Sequence, residues 1–148
     1  MILFINGSPN KDGNTARLAR ELIGDRPYKQ LNLAEHKVYG YGQSYGDDDF
    51  EDVLARIEAA DTLVVGSPVY WHNLSGMLRN LLDRFYGPVR EGSMSGKTLY
   101  FVFQGGAPTR EMLDWGEYTM KRFAALYGMA YSGMVTSKAD AAKLSKEV

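Results

Sequence analysis

The sequence predicts an α/β protein, a three-layer doubly wound sandwich, and three observations carry that expectation. Residues 1–5, 62–66 and 98–103 are apolar runs without the alternation of a half-exposed strand, so each reads as a strand buried on both faces, which implies a parallel sheet. Amphipathic helical patterns lie between these runs. Weaker elements complete the series, so that strands alternate with helices from end to end.

In chain order, the run Met1-Ile2-Leu3-Phe4-Ile5 breaks at Asn6-Gly7-Ser8-Pro9, and a helix is expected over 14–23. A weaker strand follows at 28–33, and the biased stretch Tyr39-Gly40-Tyr41-Gly42-Gln43-Ser44-Tyr45-Gly46 reads as a loop. Phe50, Val53, Leu54 and Ile57 stand at i, i+3, i+4 and i+7 behind Asp47-Asp48-Asp49, an acidic start read as a cap and dipole feature rather than a metal site. After the central strand, Leu74, Met77, Leu78, Leu81, Leu82 and Phe85 form one stripe ended by Gly87-Pro88. Arg79 and Asp83 on that helix read as an i,i+4 ion pair. A long helix over 110–127, a last strand over 130–135 and a short final helix with the pattern Ala139, Ala142, Leu144 close the chain. The short tail leaves two readings open, a sheet edge that favours a partner subunit or a frayed terminus.

With 148 residues and 45% hydrophobic content, the expectation is one domain over 1–148 with one core. A formal net charge of -1 without a basic block argues against nucleic acid as a partner. No apolar run is long enough for a signal h-region or a membrane span, which makes the cytoplasm the expected compartment. The absence of cysteine removes disulfides, thiolate catalysis and iron-sulfur ligation. Two histidines, His36 and His72, offer little for zinc, and no metal is expected.

In a parallel sheet, ligands bind where loops leave the carboxyl ends of the strands. The first such loop, Gly7-Ser8-Pro9-Asn10-Lys11-Asp12-Gly13-Asn14-Thr15, combines glycines, short polar side chains and a helix N-terminus, the ingredients of an anion cradle. Its blander reading is a loop in which Asn14 or Thr15 caps the helix. Gly7 and Gly13 enclose five residues, and Asn14 stands where a nucleoside-triphosphatase loop needs Lys. The Gly-x-Gly-x-x-Gly dinucleotide fingerprint is missing too, which leaves a single phosphate monoester as the best fit. The second loop, Gly66-Ser67-Pro68-Val69-Tyr70-Trp71-His72-Asn73, brings two adjacent aromatics on a turn stiffened by Pro68, a surface suited to a planar ring unless they pack over the core. His72 reads as a polar loop residue rather than a base. The third loop, Gln104-Gly105-Gly106-Ala107-Pro108-Thr109, offers bare backbone N–H groups to the negative edge of a reduced ring.

With these loops together, the chain resembles the flavodoxin-like superfold, and within it the NADPH-dependent FMN reductase and NAD(P)H-quinone oxidoreductase group. The marks are Gly7-Ser8-Pro9 with Gly13-Asn14-Thr15, and Gly66-Ser67-Pro68-Val69-Tyr70-Trp71 leading into 75–84. The resemblance implies a five-stranded parallel sheet in the order 2-1-3-4-5. It also implies that Ser8, Asn10, Gly13, Asn14 and Thr15 hold the FMN phosphate, that Pro68, Val69, Tyr70, Trp71 and Asn73 line the ring, and that Gln104, Gly105 and Gly106 take its far edge. No catalytic residue beyond the flavin is expected, since the cofactor carries the chemistry. NADH or NADPH would be the donor, with Arg110 a candidate for the NADPH 2′-phosphate, and a small molecule such as a quinone, a nitro or azo aromatic or free flavin would be the acceptor. Such proteins are commonly homodimers. Relatives with a cysteine cluster after the second strand differ here, because this stretch is Tyr39-Gly40-Tyr41-Gly42-Gln43. A flavodoxin-type electron carrier and a non-catalytic flavin or quinone sensor are the competing readings, the former weakened by the small net charge.

Overall fold

The computed structural model describes residues 1–148. Strands β1 (Ile2–Asn6), β2 (Tyr28–Asn32), β3 (Thr62–Pro68), β4 (Thr98–Gln104) and β5 (Ala130–Val135) form one sheet in the order β2-β1-β3-β4-β5. Every neighbouring pair is parallel. The helices are α1 (Asn14–Ile23), α2 (Phe50–Glu58), α3 (Gly76–Asp83), α4 (Arg110–Tyr127) and α5 (Lys138–Leu144). Strands β1, β3 and β4 run past the last apolar residue of each run to Asn6, Pro68 and Gln104, because parallel neighbours continue to supply main-chain partners where hydrophobicity has stopped.

Unbroken apolar runs are explained by layers on both sides of the sheet. Leu3, Ile5, Leu63, Val65, Leu99, Phe101 and Phe103 bury against α2, α3 and α4, whereas Phe4, Val64, Tyr100 and Val102 bury against α1 and α5. On the larger side, Phe85 at the end of the α3 stripe meets Phe50, Phe123 and Tyr127 at ring-centroid distances of 6.2, 4.9 and 5.1 Å. The C-terminal tail is fastened rather than frayed. Arg26 donates to the carbonyls of Ile23 and Ser145, both at 2.8 Å, and the Tyr100 hydroxyl donates to the Glu147 carbonyl at 3.0 Å.

One electrostatic expectation is corrected by the packing and another is extended. Arg79 forms no salt bridge with Asp83; the neighbouring Arg84 instead grips Asp48 through Nη1 at 2.6 Å and Nη2 at 3.1 Å. Its guanidinium also lies 4.8 Å from the Phe50 ring centroid and donates to the Tyr39 carbonyl at 3.1 Å. Pairing forms where neighbours partly exclude water, with side-chain exposures of 18% for Arg84 and 16% for Asp48, and not on the open helix surface. The three aspartates accordingly do more than start α2. Asp47 binds Lys37 and the Tyr39 hydroxyl, Asp48 accepts the Phe50 N–H besides Arg84, and Asp49 accepts the Lys37 N–H at 2.7 Å. Together they fasten the tyrosine- and glycine-rich loop to α3.

The Arg84 guanidinium holds the Asp48 carboxyl below its ordinary pKa of 3.8. A depressed folded-state value means that the pair's stabilisation is complete above the unfolded-state pKa and is lost as pH falls through the folded-state one. Asp48→Asn should therefore lower the unfolding free energy by about 1–2 kcal/mol near neutral pH. In urea titrations from pH 7 to pH 3 the gap to wild type should narrow toward the acid end; a gap that is constant with pH would remove the ionic pair from the account.

Candidate functional site

α1 packs on one face of the sheet and α2 to α4 on the other, so the chain changes face at the carboxyl ends of β1 and β3. A crevice opens at such a switch point. The Gly7 N–H donates to the Gly66 carbonyl at 2.8 Å, and the Ser75 hydroxyl at the start of α3 donates to the Gly7 carbonyl at 2.7 Å. No side chain fits at Gly7, because a Cβ there would stand 2.8 Å from the Gly66 oxygen. Gly66 is equally tight: a Cβ would lie 2.7 Å from Thr15 Cγ2, so a bare strand residue lets the first turn of α1 sit directly on the sheet.

From that anchor, side chains take the loop carbonyls away from the crevice. The Asn6 amide donates to the Asn10 carbonyl at 3.1 Å and the Gln30 amide to the Lys11 carbonyl at 2.9 Å. Ser8 N–H is accepted by Asn6 Oδ1 and Asn10 N–H by Ser8 Oγ, both at 3.1 Å. What remains is a set of donors. The N–H groups of Lys11, Asp12, Asn14, Thr15 and Ala16 make no hydrogen bond within the protein. Three of these belong to the first turn of α1, whose N-cap, Gly13, has no side chain to accept from them, so neither Asn14 nor Thr15 caps the helix. Ser75, Thr109 and Ser137 do accept first-turn N–H groups of α3, α4 and α5, and Asp48 serves α2.

Thr15 is buried, and its Oγ1 accepts from Gln104 Nε2 at 3.0 Å, which orients the hydroxyl hydrogen elsewhere. Gln104, expected at the far edge of a ring, is thus tied to the first loop in the protein alone. Gly105 lies against Val69, and the space beside Gly106 is open, so the second and third loops meet at the crevice. Val69 N–H extends the β3–β4 pairing to the Gln104 carbonyl at 2.8 Å.

Beyond Pro68 the chain makes a tight turn in which Tyr70 and Asn73 exchange main-chain hydrogen bonds of 2.9 and 3.1 Å. Its central residues, Trp71 and His72, have φ of 47° and 65°, the left-handed region that favours glycine or asparagine. Trp71 does not pack over the core; it is 96% exposed, and Tyr70 is 44% exposed. Asn73 Oδ1 accepts the N–H of Leu74 at 2.9 Å, and Ser67 Oγ accepts that of Ser75 at 2.9 Å. Of the two histidines, His36 lies 4.0 Å from an Asp49 oxygen, whereas His72 has no carboxylate partner. Arg110 forms an i,i+4 pair with Asp114 at 2.9 Å on the exposed surface of α4. Nowhere do three or more His, Cys, Asp or Glu side chains come together as metal ligands.

The structure thus brings Ser8, Asn10, Gly13, Asn14, Thr15 and Gln104 to one rim and Pro68 to Asn73 to the next. Sequence reading missed Asn6, Gln30, Asn32, Ser67 and Ser75, which hold these loops from behind. Their available signal was position: Asn6 and Ser67 are polar residues at the carboxyl ends of apolar runs, and both are fully buried.

A parallel sheet of this order, with a crevice at its switch point, defines a flavodoxin-like α/β protein. Residues 1–142 match the NADPH-dependent FMN reductase family, and the chain belongs to that family. An iron-sulfur flavoprotein of Archaeoglobus fulgidus is 34% identical over 97 residues, 56% of this chain and 47% of that protein. A putative NAD(P)H-dependent FMN-containing oxidoreductase of Bacillus subtilis is 26% identical over 120 residues, 71% of this chain and 66% of that one. The chain spans about half to two thirds of these curated relatives. The solved structure of Trp repressor binding protein from Bacillus subtilis superposes with a TM-score of 0.80 at 22% identity, over 97% of this chain and 98% of that one, and shares the fold.

Left-handed φ at two residues with side chains stores about 2–4 kcal/mol of strain in the Trp71 turn, about 1–2 kcal/mol for each. Replacing Trp71-His72 by Asn-Gly, the pair such a turn prefers, should raise the unfolding free energy by that amount in urea titration. The same double variant should bind flavin more weakly, and unchanged stability would show that the turn is relaxed.

Proposed function

We propose that the chain binds FMN across the three loops and works as an NAD(P)H-dependent oxidoreductase on a small acceptor. One observation carries this reading: a set of main-chain N–H groups without acceptors at the start of α1, in a loop whose carbonyls at positions 7, 10 and 11 are held by side-chain donors. That arrangement suits a terminal phosphate monoester, which offers acceptors only and gains from the positive end of the helix. The Ser8 and Thr15 hydroxyls already accept from the Asn10 N–H and the Gln104 amide, which leaves their hydrogens for the phosphate. Asn10 and Asn14, both exposed at the rim, add side-chain amides.

The donor set fits FMN better than a dinucleotide, because the cradle ends at one helix start without the second anion site a pyrophosphate needs. On this reading Tyr70 and Trp71 offer flat apolar surface to the ring, while Gly105 and Gly106 bring backbone N–H groups to its edge. Bound FMN supplies the redox chemistry, taking two electrons from NADH or NADPH and yielding them to the acceptor, whose classes are quinones, nitro or azo aromatics and free flavin. The protein's own share is to orient the ring and keep one face open for donor and acceptor in turn. Arg110 is already paired with Asp114, so it gives no preference for NADPH over NADH. The family and the FMN-containing relative support the cofactor. No helix is long and apolar enough to cross a membrane; a cytoplasmic, homodimeric protein without nucleic-acid partners completes the proposal.

Visible spectroscopy tests the reading. After addition of FMN and gel filtration the protein should retain flavin absorbance, and anaerobic NADH or NADPH should bleach it within seconds. Retained flavin that neither nicotinamide bleaches would make this an electron carrier. Failure to retain FMN would overturn the assignment of all three loops.

A further inference from the structure

Behind the phosphate loop lies a chain of three side-chain amides that the flavin itself would not touch. Asn6, at the carboxyl end of β1, is fully buried and makes three hydrogen bonds. Its Oδ1 accepts Ser8 N–H at 3.1 Å, and its Nδ2 donates to the Asn10 carbonyl at 3.1 Å and to Asn32 Oδ1 at 3.2 Å. Asn32, 6% exposed at the end of β2, accepts a second bond at 2.8 Å from Gln30 Nε2, which also donates to the Lys11 carbonyl at 2.9 Å. The direction of the whole chain is set by main-chain groups at its ends, since Ser8 N–H can only donate and the Lys11 carbonyl can only accept. No amide in it can be turned over without leaving a polar group unpaired.

We infer that the Asn6–Asn32–Gln30 relay is the positioning device of the phosphate cradle, and that it sets the preference for a phosphorylated flavin over an unphosphorylated one. The inference rests on the FMN reading above and goes one step behind it. A backbone amide holds phosphate well only if it is aimed beforehand, since otherwise binding must also order the loop. The carbonyls of Asn10 and Lys11, two that would repel an anion if they turned toward the crevice, are held back by this relay, while Ser75 holds the one at Gly7. Two of the three relay residues lie on β2, the edge strand, so phosphate selectivity is controlled from outside the loop.

The test compares FMN with riboflavin, which has the same ring and no phosphate, by quenching of flavin fluorescence. Wild type should bind FMN more tightly than riboflavin. Asn6→Asp keeps the acceptor for Ser8 N–H but turns a carboxylate oxygen toward the Asn10 carbonyl and Asn32 Oδ1. It should weaken FMN at least tenfold while changing riboflavin less than twofold. Gln30→Ala, at a partly exposed position that a folded protein tolerates, should weaken FMN about threefold with riboflavin again unchanged. Inorganic phosphate should compete with FMN in wild type at lower concentration than in either variant. Equal losses for both flavins would assign the relay a merely structural role and overturn the inference, as would variants that keep the full preference for FMN. A wild type that does not distinguish the two flavins would overturn the cradle itself, and the relay with it.

Discussion

The bond from Gly7 N–H to the Gly66 carbonyl joins the two central strands at the point where the chain changes face, and the site depends on it. It requires both residues to be bare: at Gly7 a side chain would strike the partner's carbonyl, and at Gly66 it would displace Thr15. The same contact stitches β1 to β3 beyond the last ladder pair and aims the start of α1 into the crevice. Fold and site therefore share one constraint. Ser75 strengthens it from the third element, since a single hydroxyl both donates to the Gly7 carbonyl and accepts the N–H of Leu78 that starts α3.

The two rims of the crevice are built on opposite principles. On the side of α1, polar side chains without an unpaired buried atom hold the loop, and the donors left over are main-chain N–H groups of a helix end. On the other side, the Trp71 turn stores strain and exposes a large aromatic surface to water. Both features cost stability in the protein alone. A helix start without a capping side chain and a left-handed tryptophan are tolerable because the surrounding core is close-packed on both faces of the sheet. The segment from Lys37 to Asp49 is different in kind: ion pairs within it and the grip of Arg84 from the end of α3 hold it in place.

Much of the fold was legible in the sequence because burial has a local signature. Runs such as Leu63-Val64-Val65 lack alternation only when both faces are covered, and the stripe from Leu74 to Phe85 has the spacing that places one face of a helix on a core. The crevice-facing loops were legible for a related reason, since glycine, proline and short polar residues gather where backbone geometry is unusual. The relay at Asn6, Asn32 and Gln30 was not, because its members come from two strands whose adjacency follows from sheet order. The pairing of Arg84 with Asp48 escaped because it joins the end of α3 to a loop 36 positions away, and an i,i+4 rule pointed to Arg79 and Asp83 instead. Trp71 and His72 carry no turn signal at all, so their left-handed geometry could not be anticipated from composition.

By itself, then, the sequence determined which segments are buried, which are strands or helices, and where a glycine-rich polar loop opens into a helix, since periodicity and residue type encode these properties one segment at a time. Tertiary structure decided which polar groups meet. Asn6 finds Asn32 across 26 positions and Gln104 finds Thr15 across 89, distances in sequence that no local pattern bridges. Strand order and register bring those partners within 3.2 Å, and a hydrogen bond exists only at such separations.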